Sequence, residues 1–352
     1  MANRVIITCP HYSEGAGGVA TFYKVYAEKQ TQNARLFYIG KDKPCGMLKT
    51  LWQLIIQYVH LFLILPKYDL LVVNPSLKPN AIKRDTVSVK MARWLGKKTC
   101  VFWRGFNEDY FNNVVRYKYK EKLQKGLFNV DYSIVLGKNI YDKYHSIGLN
   151  TPYSLGSTML DSSLLRKTPK QFLPQRFSIL FLARVIKEKG IFETLVAFKA
   201  FQQQHPEANL VIAGSGEDLE AAKSFASTQK LQAVTFLGDV RGDRKMSCLE
   251  SADVYLFPSY TEGMPNSVLE ALGMGLPIIS SCVGAVPDFF KNEKMGILMK
   301  GHSSDEILEA LEVLYQKKTS FPEISEYNRE YAAKYFVDEV VIGNLENIFA
   351  TL

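Results

Sequence analysis

Apolar runs of strand length alternate with helical patterns along the whole chain, and this alternation limits the fold more than any other feature. In the first half the strand candidates are residues 4–8 (RVIIT), 34–39 (ARLFYI), 70–74 (LLVVN), 99–103 (TCVFW) and 132–136 (YSIVL). In the second they are 178–183 (SILFLA), 209–214 (NLVIAG), 234–238 (VTFLG), 254–258 (VYLFP) and 277–281 (PIISS). Near-continuous Val, Ile, Leu and Phe suit strands buried on both faces, as in parallel sheets covered by helices. A length of 352 residues is long for one core and comfortable for two domains. The polar stretch 161–176 (DSSLLRKTPKQFLPQR) carries two prolines and reads as a linker between them. The expected fold class is therefore α/β, with two doubly wound parallel-sheet domains across a cleft. Ligands of such sheets bind at the strand carboxyl ends.

Charge divides the halves. The formal net charge is +8, but residues 1–165 hold 23 Lys and Arg against 11 Asp and Glu, a net of +12, leaving 20 against 24, a net of −4. A basic first half suits an anionic membrane surface, an anionic substrate or nucleic acid, or only a soluble surface. No nucleic-acid module is recognisable, so nucleic acid is not an expected partner. The five cysteines are scattered and form no CxxC pair, which favours a reduced, cytoplasmic setting without a zinc site. The start runs straight into a strand, so no cleaved signal peptide is expected. The longest apolar run, residues 54–65, is shorter than a bilayer requires.

In the second half the unusual residues fall just after strands. Arg184 ends one strand and Lys189 follows before the next helix, so the two can converge on one phosphate or remain solvated loop charges. Gly214 and Gly216 form a GxG without the third glycine of a dinucleotide fingerprint, which reads as a tight turn and argues against a nicotinamide dehydrogenase. Residues 261–277 (TEGMPNSVLEALGMGLP) place Glu262 and Glu270 eight positions apart around a helix start. Pro265 and Asn266 suit that start, and free backbone N–H groups near 263–266 suit a ligand. Glu270 lies about a turn inside, beside the apolar face, and a carboxylate there needs donors such as ribose hydroxyls. The alternative makes Glu262 a partner of the helix dipole and Glu270 a solvated helix residue.

The segments FLARVIKEKG, LVIAGSGEDLE, VTFLGDV and FPSYTEGMPNSVLEALGMGLPIISSCVGAVPDFF, taken in order, resemble the donor half of glycosyltransferase family 4. Those are retaining sugar-nucleotide transferases of GT-B fold, and the likeness covers about residues 176–300 with the E-x7-E pattern at its centre. It implies a nucleotide-sugar donor, no cofactor and no metal. Arg184 and Lys189 would stabilise the leaving diphosphate. Glu262 would hold the transferred sugar and Glu270 the ribose, helped by backbone at Gly263, Met264, Pro265 and Asn266. The loop from Gly238 to Val240 would hold the base. PHYSEGAGGVATFY resembles the family's glycine-rich loop (15–18), with Gly17 and Gly18 letting main chain approach the phosphates. The implied division is an acceptor domain over 1–163, a donor domain over 164–335 and a last helix, 336–352, crossing back to the first domain. The implied activity is hexosyl transfer to a glycan or lipid-linked glycan in lipopolysaccharide, capsule or exopolysaccharide biosynthesis; a sugar-nucleotide epimerase or hydrolase is the alternative.

One position departs from the pattern. Many relatives carry His-Gly after the fourth strand, where this chain has Arg104-Gly105. Arg104 is expected at the cleft, against phosphate or an acidic acceptor, unless it is a surface arginine supporting Glu108 or Asp109; His11 is a further candidate at the cleft. Residues 47–68 form an apolar helix flanked by Lys49 and Lys67, either a core helix or a peripheral contact with the inner membrane face. Residues 114–128 interleave lysines with aromatics and leave the same choice.

Overall fold

The computed structural model describes residues 3–11, 18–40, 46–168, 170–173 and 175–352. Two compact units result. The first takes the chain up to Met159 together with Asp338–Leu352, and the second is Leu160–Val337.

The first unit is a six-stranded parallel sheet of β1 (Val5–Cys9), β2 (Arg35–Tyr38), β3 (Leu70–Val73), β4 (Lys98–Phe102), β5 (Tyr132–Val135) and β6 (Tyr153–Leu155), in the order β2-β1-β3-β4-β5-β6. β1 and β3 are buried along their whole length, as their unbroken apolar runs require. The helix Asp338–Thr351 packs on the helix Gly18–Lys29 and completes this unit. Its Glu346 is buried, and the carboxylate accepts from the Thr31 amide at 2.7 Å, the Thr31 hydroxyl at 2.5 Å and the Gln32 amide at 3.1 Å. Those bonds replace the water lost on burial.

The second unit holds β7 (Phe177–Leu182), β8 (Ala208–Ala213), β9 (Val234–Gly238), β10 (Val254–Phe257), β11 (Ile278–Ser281) and β12 (Gly296–Met299). The order is β12-β11-β10-β7-β8-β9, again all parallel. Strand order reverses between β7 and β10, leaving a crevice beyond their carboxyl ends. The core on one side of the sheet joins Phe177, Ile179 and Phe181 to Phe198 and Phe201 of the helix Ile191–Gln204 and to Leu311 of the helix Ser304–Gln316.

All ten strands read from the sequence are present, shifted by no more than one residue at any end; β6 and β12 were not legible. Both are sheet edges, three and four residues long.

The stretch 161–176 is not a free linker. Asp161 caps a short turn by accepting from the Ser163 amide at 2.9 Å, Arg166 donates its amide to Gly273, and Lys170 is buried with its ammonium on the Glu250 carbonyl. Burial pushes the Lys170 ammonium down to about 8.

The helix Met47–Ile64 is not a core helix. Leu61 is buried, but Leu48, Leu51, Trp52, Ile55, Ile56, Val59 and Leu63 stand exposed at helical spacing, Leu48 at 77%. Continued by one turn, Leu48–Lys67 reaches the length and apolarity of a membrane-crossing helix, longer than the run visible in the sequence. Gln57 is tied to both backbone groups of Gly40, and the Tyr58 hydroxyl donates to the Arg84 carbonyl. One face is therefore fixed to the unit and the other is bare.

Candidate active site

The crevice between β7 and β10 collects the charged residues of the second unit. Arg184 follows β7 and is exposed, with no side-chain partner among the described residues. Lys189 closes the next turn, Lys187–Lys189, and is largely buried. Its ammonium meets the Glu262 carboxylate and lies 3.4 Å from the Ser259 hydroxyl. The Lys189 and Glu262 side chains are 12% and 17% exposed, so the pair is partly shielded from water. Two bonds fasten the loop after β10 to the loop after β7: the Tyr260 amide to the Glu188 carbonyl at 2.9 Å, and the Ser259 hydroxyl to the same carbonyl at 3.3 Å.

The helix Asn266–Gly273 starts after Pro265, in extended backbone, and no side chain caps it. Its first N–H groups have no intrahelical acceptor, so this end suits an anion. Gly263, Met264 and Pro265 are buried under the loop. Gly284, after β11, holds them there. Its φ is +55°, and a Cβ on it would sit 2.3 Å from the Gly263 carbonyl oxygen and 2.6 Å from that of Glu262. The Ala285 amide donates to the same Gly263 carbonyl at 2.8 Å. Only glycine permits that approach at that backbone angle.

Glu270 has a protein partner that the sequence did not indicate. Lys245, on the helix Gly242–Ser251, donates to Glu270 Oε1 at 2.7 Å. The two lie far apart in sequence, and a lysine in an exposed-looking DRKMS stretch carries no mark that sets it aside. Gly238 ends β9 with φ +67°, its carbonyl accepting from the Gly214 amide at 2.7 Å, and Val240 beyond it is buried. Gly214 is a close-approach residue: a Cβ there would lie 1.8 Å from the Ala183 carbonyl oxygen, beside Arg184. The GxG is thus a tight turn packed on the β7 loop. Tyr255 is buried beneath the site, its hydroxyl donating to the Leu182 carbonyl at 3.1 Å.

The remaining candidates lie in the first unit. Gly17 is outside the described residues; Gly18 opens the helix Gly18–Lys29 and is exposed. His11 follows β1, exposed, with its ring 5.0 Å from that of Tyr38. Arg104 is not a surface arginine supporting Glu108 or Asp109. It is 7% exposed and stacked on Phe22, while Glu108 pairs with Lys143 at 2.7 Å.

Known proteins resemble the chain in sequence and in fold. Residues 166–334 match the family described as glycosyl transferases group 1. An uncharacterized glycosyltransferase of Haemophilus influenzae is 27% identical over 166 residues, 47% of this chain and 46% of that protein. A putative teichuronic acid biosynthesis glycosyltransferase of Bacillus subtilis is 35% identical over 154 residues, 44% of this chain and 36% of that one. The chain thus spans less than half the length of these two relatives. Among solved structures, Anabaena HepE in complex with UDP has a TM-score of 0.77 at 13% identity, covering 99% of this chain and 100% of that one. The apo lipopolysaccharide outer core galactosyltransferase WaaB has a TM-score of 0.72 at 16% identity, covering 99% and 100%. The fold is therefore GT-B, and the segment 166–334, which carries Arg184, Lys189, Glu262 and Glu270, matches the group 1 glycosyl transferases.

Proposed function

We propose that the protein is a retaining, metal-independent glycosyltransferase. It moves a hexosyl group from a UDP- or GDP-sugar to a hydroxyl of a glycan or lipid-linked glycan during surface-polysaccharide synthesis. The observation that carries this reading is the grouping of Arg184, Lys189 and Glu262 with an uncapped helix start at the β7/β10 crevice. Two cations and free N–H groups there suit a diphosphate, and charge stabilisation of a departing nucleotide by preorganised donors is usually the largest catalytic contribution.

Lys189 and Glu262 neutralise each other. A diphosphate draws Lys189 to its oxygens alongside the free fork of Arg184, which releases Glu262 to accept from a sugar hydroxyl. Glu270, held by Lys245, accepts from the ribose. The acceptor hydroxyl attacks from the face the nucleotide leaves, and its proton passes to a phosphate oxygen of the leaving group. Arg184 and Lys189 supply the positive charge for that departure.

The same reading places the protein on the inner face of a membrane. The bare stripe of the helix Met47–Ile64 is continued by Trp94, 76% exposed with its ring 5.7 Å from that of Phe62, and exposed Lys49, Lys67, Lys90 and Arg93 lie around it. A helix with one face packed on protein and the other apolar, ringed by cations, suits lying in an anionic interface.

A panel of UDP- and GDP-sugars tests the donor site by thermal stabilisation. A donor at about 100 times its dissociation constant adds about 2.7 kcal/mol. A matching donor should raise the melting temperature with EDTA present, and its sugar should appear on an added glycan. If no nucleotide sugar shifts the transition, the donor-site reading fails.

A further inference from the structure

Arg104 follows β4 in the first unit, and the chain's own contacts do not account for its burial. The residue keeps 7% of its surface. Its guanidinium carbon lies 3.8 Å from the ring centroid of Phe22 and 4.3 Å from that of Phe102. Ring faces stabilise a cation by less than is lost on removing an ion from water. A guanidinium makes its hydrogen bonds along its edge, and there Nε and Nη1 are buried with no acceptor. The Arg104 amide, by contrast, donates to the Pro75 carbonyl at 3.0 Å, so main chain alone fixes this turn. Among the described residues no carboxylate pairs with Arg104, and Glu108 is committed to Lys143. Burial pushes the guanidinium down to about 10, which leaves it charged at neutral pH.

The position is one where ligands bind. β4 adjoins β3, and the strand order of this sheet reverses at β1 and β3. The neighbouring polar groups are already ordered. Tyr23, whose ring centroid is 5.9 Å from the guanidinium carbon, donates to Asn74 Oδ1 at 2.5 Å, and Asn74 donates to the Thr8 carbonyl at 2.9 Å. Among the described residues, what this wall lacks is a negative charge.

We propose that Arg104 is the receptor for an anionic group, a carboxylate or a phosphate, carried by the acceptor, so that the protein glycosylates acidic rather than neutral glycans. This rests on the transferase reading: the donor diphosphate has Arg184 and Lys189 in the other unit, and the remaining reactant is the acceptor. A planar fork with unpaired donors matches either anion.

The full-length protein is titrated with glucuronate, glucose 6-phosphate and neutral glucose, by thermal shift and calorimetry, as wild type, Arg104→Met and Arg104→Lys. Wild type should respond to glucuronate or to the sugar phosphate and not to glucose; which acid acts separates carboxylate from phosphate. Arg104→Met should weaken that binding at least about tenfold. It should melt no lower than wild type without ligand, because an apolar replacement removes an unpaired buried ion, and should bind UDP unchanged. Arg104→Lys should retain part of the anion binding. The proposal is overturned if neither acid binds wild type, if both variants bind acid as tightly as wild type does, or if Arg104→Met unfolds the protein. Selective loss of UDP-glucuronate binding by Arg104→Met would overturn it too, by placing the anion on the donor. Loss of nucleotide binding by wild type would instead sink the transferase reading.

Discussion

Lys189 and Glu262 are each other's counter-ion, so a ligand that engages Lys189 must exchange that contact for its own. Glu262→Gln should therefore separate binding from chemistry. With Lys189 released, UDP or GDP should bind about fivefold tighter by calorimetry, while the initial rate of sugar transfer falls roughly 10²-fold. Weaker nucleotide binding with unchanged turnover would put Glu262 outside the reaction. The placement of these residues was legible in the sequence, because each lies in the loop that follows an apolar strand run. Their partners were not. Lys245 reaches Glu270 from a separate helix, a pairing that only the tertiary fold brings together. Arg104 could not be read as buried from a segment where Glu108 and Asp109 stand close by in sequence, since it is Lys143 that takes Glu108.

Among elements, the helix Met47–Ile64 separates most sharply what a sequence tells from what it hides. Its apolar residues recur at helical spacing whether they face a core or a lipid surface, and only packing decides. Trp52→Glu combined with Ile56→Glu should abolish cosedimentation with anionic vesicles and leave the melting temperature within about 1 °C, both positions being exposed. Vesicle binding that survives the double change would remove this face as the docking surface. Strands were easier to read, since a buried parallel strand must be apolar almost throughout. Helical form was harder: Phe111–Tyr119 winds as a π-helix, with Phe111, Val115 and Tyr119 buried. The apolar spacing of that stretch is also met by an ordinary α-helix, so composition could not distinguish the two.

For the molecule as a whole, two sheets of parallel strands were legible from the alternation of apolar runs and helical patterns. Two of the four edge strands, β6 and β12, were not. Glu346, near the end of the chain, is bonded to Thr31 and Gln32, near its beginning. Glu346→Ala should cost about 1.5–3 kcal/mol. By hydrogen exchange, the loss of protection should fall on residues 18–38, while β7–β12 keep theirs; a loss spread equally over both sheets would contradict the division into two units. That closing helix also sets an order of events on the ribosome. Leu160–Val337 is an unbroken stretch and is complete once it emerges, whereas the first unit must wait for Asp338–Leu352. The unit that begins first is therefore completed after the second, and until Asp338–Leu352 is made its helix Gly18–Lys29 lacks a neighbour.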